Sequence, residues 1–209
     1  LVLGIGYPFA SELLQLDSVQ ESKKQFEKTV LGNASRSSNL RRNHRQWEDL
    51  PEDLKQDFRD LGFYPASLPP KKRKFELSTL QGDRRSLDDY RGNWIVLNFW
   101  ATWCPPCRME MPSLDQLQEA FRGKPLNVLT VNVQQKASTI RQFKRNYGFD
   151  LPILLDETGS VTTNYEARGL PETWIISPSN QPIAKLDGPL EWHSEPVVSA
   201  LERLVNGSN

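Results

Sequence analysis

The stretch FWATWCPPCRMEMP, residues 99–112, contains both cysteines of this 209-residue chain. The apolar run just before them, WIVLNFW (94–100), predicts a strand that is covered on both faces, and the residues after them predict a helix. Cys104 and Cys107 therefore lie where a buried strand ends and a helix begins. This junction decides the interpretation of the rest of the chain.

Two prolines, Pro105 and Pro106, separate the cysteines. If Cys104 caps the helix, both prolines fall in its first turn, where a missing N–H costs no helical hydrogen bond. Cys107 then keeps its N–H and can donate it to the Cys104 sulfur. The free N–H groups and the positive end of the helix dipole favour a thiolate over a thiol at this position. The sequence thus predicts a rigid Cys104–Cys107 dithiol that opens and closes.

Other uses of two cysteines explain the pattern less well. A structural zinc site needs about four ligands, and the only histidines, His44 and His193, lie far from the pair in sequence. A purely structural disulfide that closes so short a loop would stabilise a fold little. We therefore predict redox chemistry with no metal and no cofactor other than the redox-active Cys104–Cys107 disulfide.

A carboxylate follows the second cysteine by one helical turn. Cys107, Glu110, Leu114, Leu117 and Phe121 recur at spacings of three and four, so they share one face of the helix, and that face is apolar. Burial there should raise the pKa of Glu110 and suit it to move the proton of the Cys107 thiol. The alternative is a carboxylate that turns to solvent and only stabilises the start of the helix.

Strands and helices alternate from Phe75 onward. FELSTL and RRSL flank a Gly82–Asp83 turn and predict a hairpin. Further strands are predicted at 126–133, 151–156, 173–177 and 182–187, and further helices at 137–148, 160–167 and 195–205. This order predicts an α/β fold, with a central mixed sheet flanked by helices.

The first third of the chain has a different composition. Residues 1–70 are predicted to be a mainly helical N-terminal region, with helices within 11–30 and from Pro51 to Leu61, and residues 71–209 the α/β domain. ASLPPKKRK (66–74) is predicted to be a linker between them. The apolar start LVLGIGYPFA is too short to span a bilayer. It is either the remnant of a signal or membrane anchor, or a short segment that packs on the domain.

The charges give no indication of a nucleic-acid partner. Lys and Arg number 26, and Asp and Glu also number 26. Nucleic-acid-binding proteins usually carry a basic excess. We therefore predict no nucleic acid among the partners.

The segment NFWATWCPPCRMEMPSL (98–114) resembles the thioredoxin-like family, specifically its TlpA/ResA/DsbE branch of extracytoplasmic thiol–disulfide oxidoreductases. The resemblance runs from about Phe75 to Leu204. It implies a thioredoxin fold with an N-terminal hairpin and a helix–strand insert at 137–156, in which Cys104 is the attacking nucleophile and Cys107 the resolving thiol. Asn98, where classical thioredoxins have an aspartate, and Glu110 are typical of this branch.

The segment RGLPETWII (168–176) resembles the cis-proline loop of the same family. The resemblance implies a cis Leu170–Pro171 bond beside the cysteines, with the backbone of Leu170 available to an extended substrate segment. Trp103 and Pro105, which flank Cys104, are further candidate substrate contacts, although packing explains Trp103 equally well. Trp192 is assigned no role.

The resemblance implies a reductase that acts on protein thiols and disulfides outside the cytoplasm, in the periplasm or an equivalent compartment. It also implies a membrane electron donor of the DsbD/CcdA type, tethering to the inner membrane if the apolar start is an anchor, and a role in cytochrome c maturation. Two alternatives stay open. A peroxiredoxin-like peroxidase would carry a threonine three residues before its reactive cysteine, where this chain has Ala101. A thioredoxin-fold adaptor would bind a partner through residues 1–70.

Overall fold

The buried run Trp94–Trp100 forms an inner strand of an eight-stranded sheet in the computed structural model, which describes residues 47–207. All seven residues of this strand are buried, as expected for a strand covered on both faces. The predicted helix within residues 11–30 and the apolar start lie outside the described residues.

The elements follow one another in a simple order. They are α1 (Glu52–Asp60), β1 (Tyr64–Pro65), α2 (Pro70–Arg73), β2 (Glu76–Thr79), β3 (Arg84–Ser86), a 3-10 turn (Leu87–Tyr90), β4 (Trp94–Trp100), α3 (Pro105–Ala120), β5 (Leu126–Val133), α4 (Ala137–Tyr147), β6 (Ile153–Asp156), α5 (Ser160–Asn164), β7 (Glu172–Ile176), β8 (Pro182–Asp187) and α6 (Glu195–Asn206).

The strands are arranged in the order β1-β8-β7-β4-β5-β6-β2-β3. Strands β4, β5 and β6 run parallel, whereas β7 pairs antiparallel with both β4 and β8. The register of β4 with β7 places Asn98 opposite Thr173. The mixed sheet is therefore built around β4, and the chain leaves its carboxyl end directly toward the cysteines.

Helices cover the sheet on both sides and form two cores. Buried residues of α1, α3, α4 and α6 make one cluster with one face of the sheet. Val161 and Tyr165, at and just after α5, make the other cluster, together with Leu68, Phe75 and Leu87. The predicted α/β architecture, its hairpin and its helix–strand insert are confirmed. Helix α4 ends at Tyr147 and is capped by Gly148, whose φ of 70° is the left-handed conformation that glycine adopts at low cost.

Residues 47–74 pack on the same sheet. Leu54 and Phe58 of α1 are buried in the cluster that contains α6, and β1 pairs with β8. In the segment predicted to be a linker, Leu68 is buried and the Arg73 carbonyl accepts a hydrogen bond from the Tyr165 hydroxyl at 3.0 Å. The predicted helix from Pro51 is confirmed, and its apolar face needs a partner, which α6 supplies.

The described residues on both sides of position 70 belong to one compact unit. The division of the chain into 1–70 and 71–209 stays a prediction. None of the helices within residues 47–207 combines the length and the apolar composition that are needed to cross a membrane.

Candidate active site

The two cysteines are joined at the N-terminus of α3. Cys104 is the N-cap, and its sulfur accepts a hydrogen bond from the Cys107 N–H at 3.3 Å. The sulfurs form a disulfide with an S–S distance of 2.12 Å and a Cα–Cα distance of 5.3 Å. Pro105 and Pro106 occupy the first two helical positions. The structure thus has the predicted cap, the predicted proline placement and the predicted pairing of the sulfurs.

The surroundings of the disulfide differ in exposure. Both cysteines are buried, with Cys104 3% exposed and Cys107 0% exposed. Trp103 is 66% exposed and Pro105 is also exposed, which leaves both available to a partner. Trp100, in contrast, is fully buried. The roles of Trp103 and Pro105 in binding a substrate stay predictions.

The loop at 168–171 lies beside the disulfide. The Leu170–Pro171 peptide bond is cis, as the resemblance implies. The Leu170 carbonyl oxygen lies 3.5 Å from the Cys104 sulfur. The Gly188 N–H donates to the Pro171 carbonyl at 2.9 Å and connects the loop to the end of β8. The structure therefore brings Leu170 and Pro171 to the cysteines, and their role in substrate binding stays a prediction.

Glu110 is a buried carboxylate, because only 3% of the residue is exposed. Its Oε1 accepts a hydrogen bond from the Asn98 amide at 2.8 Å. Its Oε2 accepts from the Trp192 indole at 3.1 Å and from the Leu190 N–H at 3.2 Å. Burial raises the pKa of Glu110 from 4.5 to about 7, and the three donors lower it by a smaller amount. The solvent-facing alternative for this side chain is therefore wrong.

Trp192 is one of the residues of the site that the sequence did not indicate. It is fully buried, its indole donates to Glu110, and its backbone N–H donates to the Ser113 hydroxyl at 3.1 Å. The Ser113 hydroxyl in turn donates to the Glu110 carbonyl at 2.9 Å. A tryptophan so far along the chain from α3 has no spacing that would connect it with Glu110. His193, next to it, is exposed.

Gln135 holds the turn that precedes the cysteines. Its amide oxygen accepts from the Thr102 N–H at 2.8 Å, and its amide nitrogen donates to the Thr102 hydroxyl at 2.7 Å. The Asn132 side chain also donates to Gln135 at 3.1 Å. The end of β5 thus fixes the chain just before Cys104, and nothing in the sequence singles out this glutamine.

A second buried carboxylate directly follows the cis-proline. Glu172 is 1% exposed and accepts hydrogen bonds from the Trp174 indole at 2.7 Å and from Lys185 at 3.3 Å. Burial raises the pKa of Glu172. Lys185 also pairs with Asp187 at 3.3 Å and lies 5.4 Å from the centre of the Tyr64 ring. This ionic cluster joins β7, β8 and β1 behind the cis-proline loop.

Within residues 47–207, no group of three or more His, Cys, Asp or Glu side chains is placed to hold a metal ion. The absence of a cofactor stays a prediction. The groups that can carry chemistry here are the two sulfurs and the buried Glu110 carboxylate, which ionises near neutral pH.

Comparison with known families decides the affiliation of the chain. The family model described as AhpC/TSA matches residues 70–181, which is more than half of the chain. The chain belongs to the AhpC/TSA family. The matched range includes the disulfide, Glu110 and the cis-proline loop, and stops before Leu190 and Trp192.

Two relatives of this AhpC/TSA family member are close in sequence over about half of the chain. The Thioredoxin-like protein YneN of Bacillus subtilis is 40% identical over 105 residues, 49% of this chain and 61% of that protein. The Thiol-disulfide oxidoreductase ResA of Geobacillus kaustophilus is 35% identical over 107 residues, 51% of this chain and 62% of that protein. The matched segment thus spans about three fifths of the length of these curated relatives.

Solved structures share the fold. A putative Thiol:disulfide interchange protein DsbE from Chlorobium tepidum matches with a TM-score of 0.57 and 24% identity, over 69% of this chain and 96% of that chain. At this identity the likeness shows the fold alone. Together with the sheet order, it confirms the predicted thioredoxin fold.

Proposed function

We propose that this chain is a thiol–disulfide oxidoreductase that reduces protein disulfides with the Cys104–Cys107 dithiol, in a compartment outside the cytoplasm. One observation carries the proposal: the disulfide caps the N-terminus of α3, and a buried carboxylate lies one turn beyond its inner sulfur. The names of the relatives support the same activity, since one of them is a thiol-disulfide oxidoreductase.

The first step is attack by Cys104. The Cys104 thiolate attacks one sulfur of a substrate disulfide, forms a mixed disulfide and releases the other substrate sulfur as a thiolate. Cys104 takes this role because it is the N-cap of α3, where the helix N-terminus stabilises its negative charge, whereas Cys107 is completely buried. The Leu170 backbone beside it offers hydrogen bonds to an extended substrate, with Trp103 and Pro105 at the rim.

The second step is resolution by Cys107. The Cys107 thiol gives its proton to the Glu110 carboxylate, and the resulting thiolate attacks the Cys104 sulfur. The mixed disulfide breaks, the second substrate sulfur leaves as a thiolate, and the Cys104–Cys107 disulfide forms. Two electrons have then passed to the substrate. A carboxylate whose pKa is about 7 is well matched to this proton transfer at neutral pH.

The cycle closes when an external dithiol reduces the Cys104–Cys107 disulfide and becomes a disulfide itself. The proposed donor is a membrane protein of the DsbD/CcdA type, and the proposed substrates include the haem-binding cysteines of apocytochrome c. Support for this setting comes from the resemblance to the TlpA/ResA/DsbE branch and from the apolar start of the chain. An anchor to the inner membrane through that start belongs to the same proposal.

The test uses the same substitution at two positions. Cys107→Ser should accumulate a mixed disulfide with a protein substrate such as insulin, because resolution is lost. Cys104→Ser should form none and should not reduce insulin. If both variants behave alike, the assignment of attacking and resolving roles is wrong. If the wild-type protein supplied with dithiothreitol does not accelerate insulin reduction, the proposed activity is wrong.

The direction of electron flow is tested by the reduction potential of the cysteine pair, titrated in glutathione or dithiothreitol buffers. A value near or below about −270 mV, the potential of thioredoxin, supports a reductase. A value near about −120 mV, the potential of DsbA, would make the protein a disulfide donor and overturn the proposed direction.

The two alternative functions have tests of their own. A peroxidase would consume hydrogen peroxide stoichiometrically with a thiol reductant at a rate comparable to its disulfide exchange, which we do not expect. An adaptor would retain every cellular role in a Cys104→Ser, Cys107→Ser double variant. Loss of function in that double variant supports the redox proposal.

A further inference from the structure

Glu110 is held by the loop that connects β8 to α6. Two of its three donors, the Leu190 N–H and the Trp192 indole, come from this loop and bind the same carboxylate oxygen. The Trp192 backbone is fixed as well, because its N–H donates to Ser113 on α3. Trp192 therefore contacts one oxygen of the carboxylate through its side chain and is held to α3 through its backbone.

Trp192 in turn packs against the N-terminal segment 47–63. The Phe63 ring lies edge-on to the Trp192 ring at a centroid distance of 6.1 Å. Phe63 contacts Phe58 at 5.3 Å, and Phe58 contacts Trp47 at 6.2 Å, both also edge-on. All four side chains are buried. A continuous series of aromatic contacts thus runs from Trp47 to Trp192, and the hydrogen bond of the Trp192 indole extends it to the Glu110 carboxylate.

We propose that Trp192 is a positioning residue for Glu110, and that the N-terminal segment sets the position of Trp192 through Phe63. The segment then regulates how readily the carboxylate takes up a proton. The consequence for catalytic turnover rests on the proposed function, whereas the consequence for the protonation of Glu110 does not. Residues 47–63 precede the range matched by the family model.

The groups that face Glu110 are neutral, so the removal of a single hydrogen-bond donor should produce a measurable change in the pKa of Glu110. Asn98 faces it from β4, Cys107 and Ser113 lie on its own helix, and Leu190 and Trp192 face it from the loop before α6. All of its donors are neutral. Burial raises the pKa of Glu110, and the hydrogen bonds from Trp192, Asn98 and Leu190 lower it.

The first experiment replaces Trp192 by phenylalanine, which keeps an aromatic ring and removes the indole N–H. We expect W192F to raise the pKa of Glu110 by about one, which is about a tenfold increase in proton affinity. The pKa is read from the side-chain carboxyl resonance by 13C NMR, assigned with Glu110→Gln. Trp174→Phe is the matched control, because it removes the indole that donates to the other buried carboxylate, Glu172. It should leave the pKa of Glu110 unchanged.

The second experiment tests the N-terminal segment. Phe63→Leu should also raise the pKa of Glu110, with an increase of about threefold in its proton affinity, because Trp192 loses its aromatic neighbour. Phe75→Leu is the control, since Phe75 is also a buried aromatic residue but belongs to the core on the other face of the sheet. In a W192F background, F63L should add nothing, because Phe63 acts through Trp192.

Three results would overturn the inference. The first is an unchanged Glu110 pKa in W192F, and the second is an equal shift in F63L and F75L. The third is full additivity of F63L and W192F. If W192F does not fold, the comparison of F63L with F75L alone decides whether the inference holds. None of these readouts depends on enzyme activity, so an inactive wild-type protein would refute the proposed function and leave this test valid.

Discussion

Replacing Glu110 by glutamine should change how the stability of the protein depends on pH. The wild-type carboxyl group has a pKa of about 7 in the folded state and close to 4.5 when the chain unfolds and exposes it. Glutamine cannot ionise, so the variant lacks this contribution. The prediction concerns the slope of stability against pH.

The sign follows from proton binding. Below pH 4.5 the carboxyl group is protonated in both states and has no effect on the slope. Between pH 4.5 and about 7 the folded protein retains the proton while the unfolded chain loses it. Stability therefore falls as the pH rises through this range and levels off above it. A group with a raised folded-state pKa stabilises the fold at acid pH and loses that stabilisation as the pH rises.

The magnitude comes from the size of the shift. A change from 4.5 to about 7 is about 2.5 pKa units. At about 1.4 kcal/mol per unit, ionised Glu110 costs the fold about 3 kcal/mol above neutral pH. The wild-type protein should therefore lose about 3 kcal/mol relative to Glu110→Gln between pH 4 and pH 8.

The variant also carries a difference that does not depend on pH. Its single oxygen can face either the Asn98 amide or the two donors of the loop, so one hydrogen bond must rearrange. For this reason only the change with pH tests the argument, and the offset between the two proteins does not. The contribution of Glu172, whose pKa is also raised, is common to both proteins and cancels.

The assay is urea denaturation of the oxidised proteins at several pH values from 4 to 8.5, followed by circular dichroism. Glu191→Gln is the matched control, because it is the same substitution at an exposed position. Its profile should run parallel to the wild type. Parallel profiles for Glu110→Gln and the wild type would show that Glu110 does not titrate as its burial requires, and would remove the basis for its role as proton acceptor.

Three further predictions concern stability. Phe58→Ala should lower the free energy of unfolding by about 3–5 kcal/mol in urea denaturation, because removal of the buried ring leaves a cavity between α1 and α6. Met109→Ala, at an exposed position, should change it by no more than about 0.5 kcal/mol. Equal effects of the two substitutions would mean that α1 does not belong to the folding unit. Lys185→Met should destabilise the protein more at pH 8 than at pH 4.5, because Glu172 loses its cationic partner and the pKa of Glu172 rises further. A loss of stability that does not depend on pH would contradict this prediction. Arg203→Ala should lower the free energy of unfolding by about 1 kcal/mol at low salt and by less in 1 M NaCl, because the ion pairs of Arg203 with α1 are partly exposed. A loss of stability that does not change with salt would show that these ion pairs are not its cause.

The parts of the fold that the sequence predicts are those with a local signal. The runs at 94–100, 126–133 and 182–187 coincide with strands, because they combine apolar residues with clear turn signals at their ends. The cap at Cys104 and the burial of Glu110 follow in the same way from the spacing along one helix. Such signals involve residues within a few turns of each other.

The parts that could not be predicted depend on contacts between distant segments. The hydrogen bonds of Glu110 with Leu190 and Trp192 join residues 80 and 82 positions apart. The helix from Pro51 is apparent from its periodicity, but a periodic apolar face does not say which partner it packs against. The cis-proline loop was expected because of the resemblance, since nothing in local chemistry indicates its isomer.

The buried amide of Asn98 has a consequence for how the two protonation states of Glu110 are hydrogen-bonded. Its nitrogen donates to both Glu110 and Thr173, at 2.8 and 2.9 Å, while its oxygen has no partner among the described residues. A half-turn of the amide exchanges the two ends. The oxygen can then accept from a protonated Glu110 and from the Thr173 hydroxyl, which is able to donate as well as accept. An ionised aspartate in this place could only accept. The neutral amide donates to Glu110 in the orientation that the structure shows, and after a half-turn it can accept from the protonated acid without any movement of the backbone.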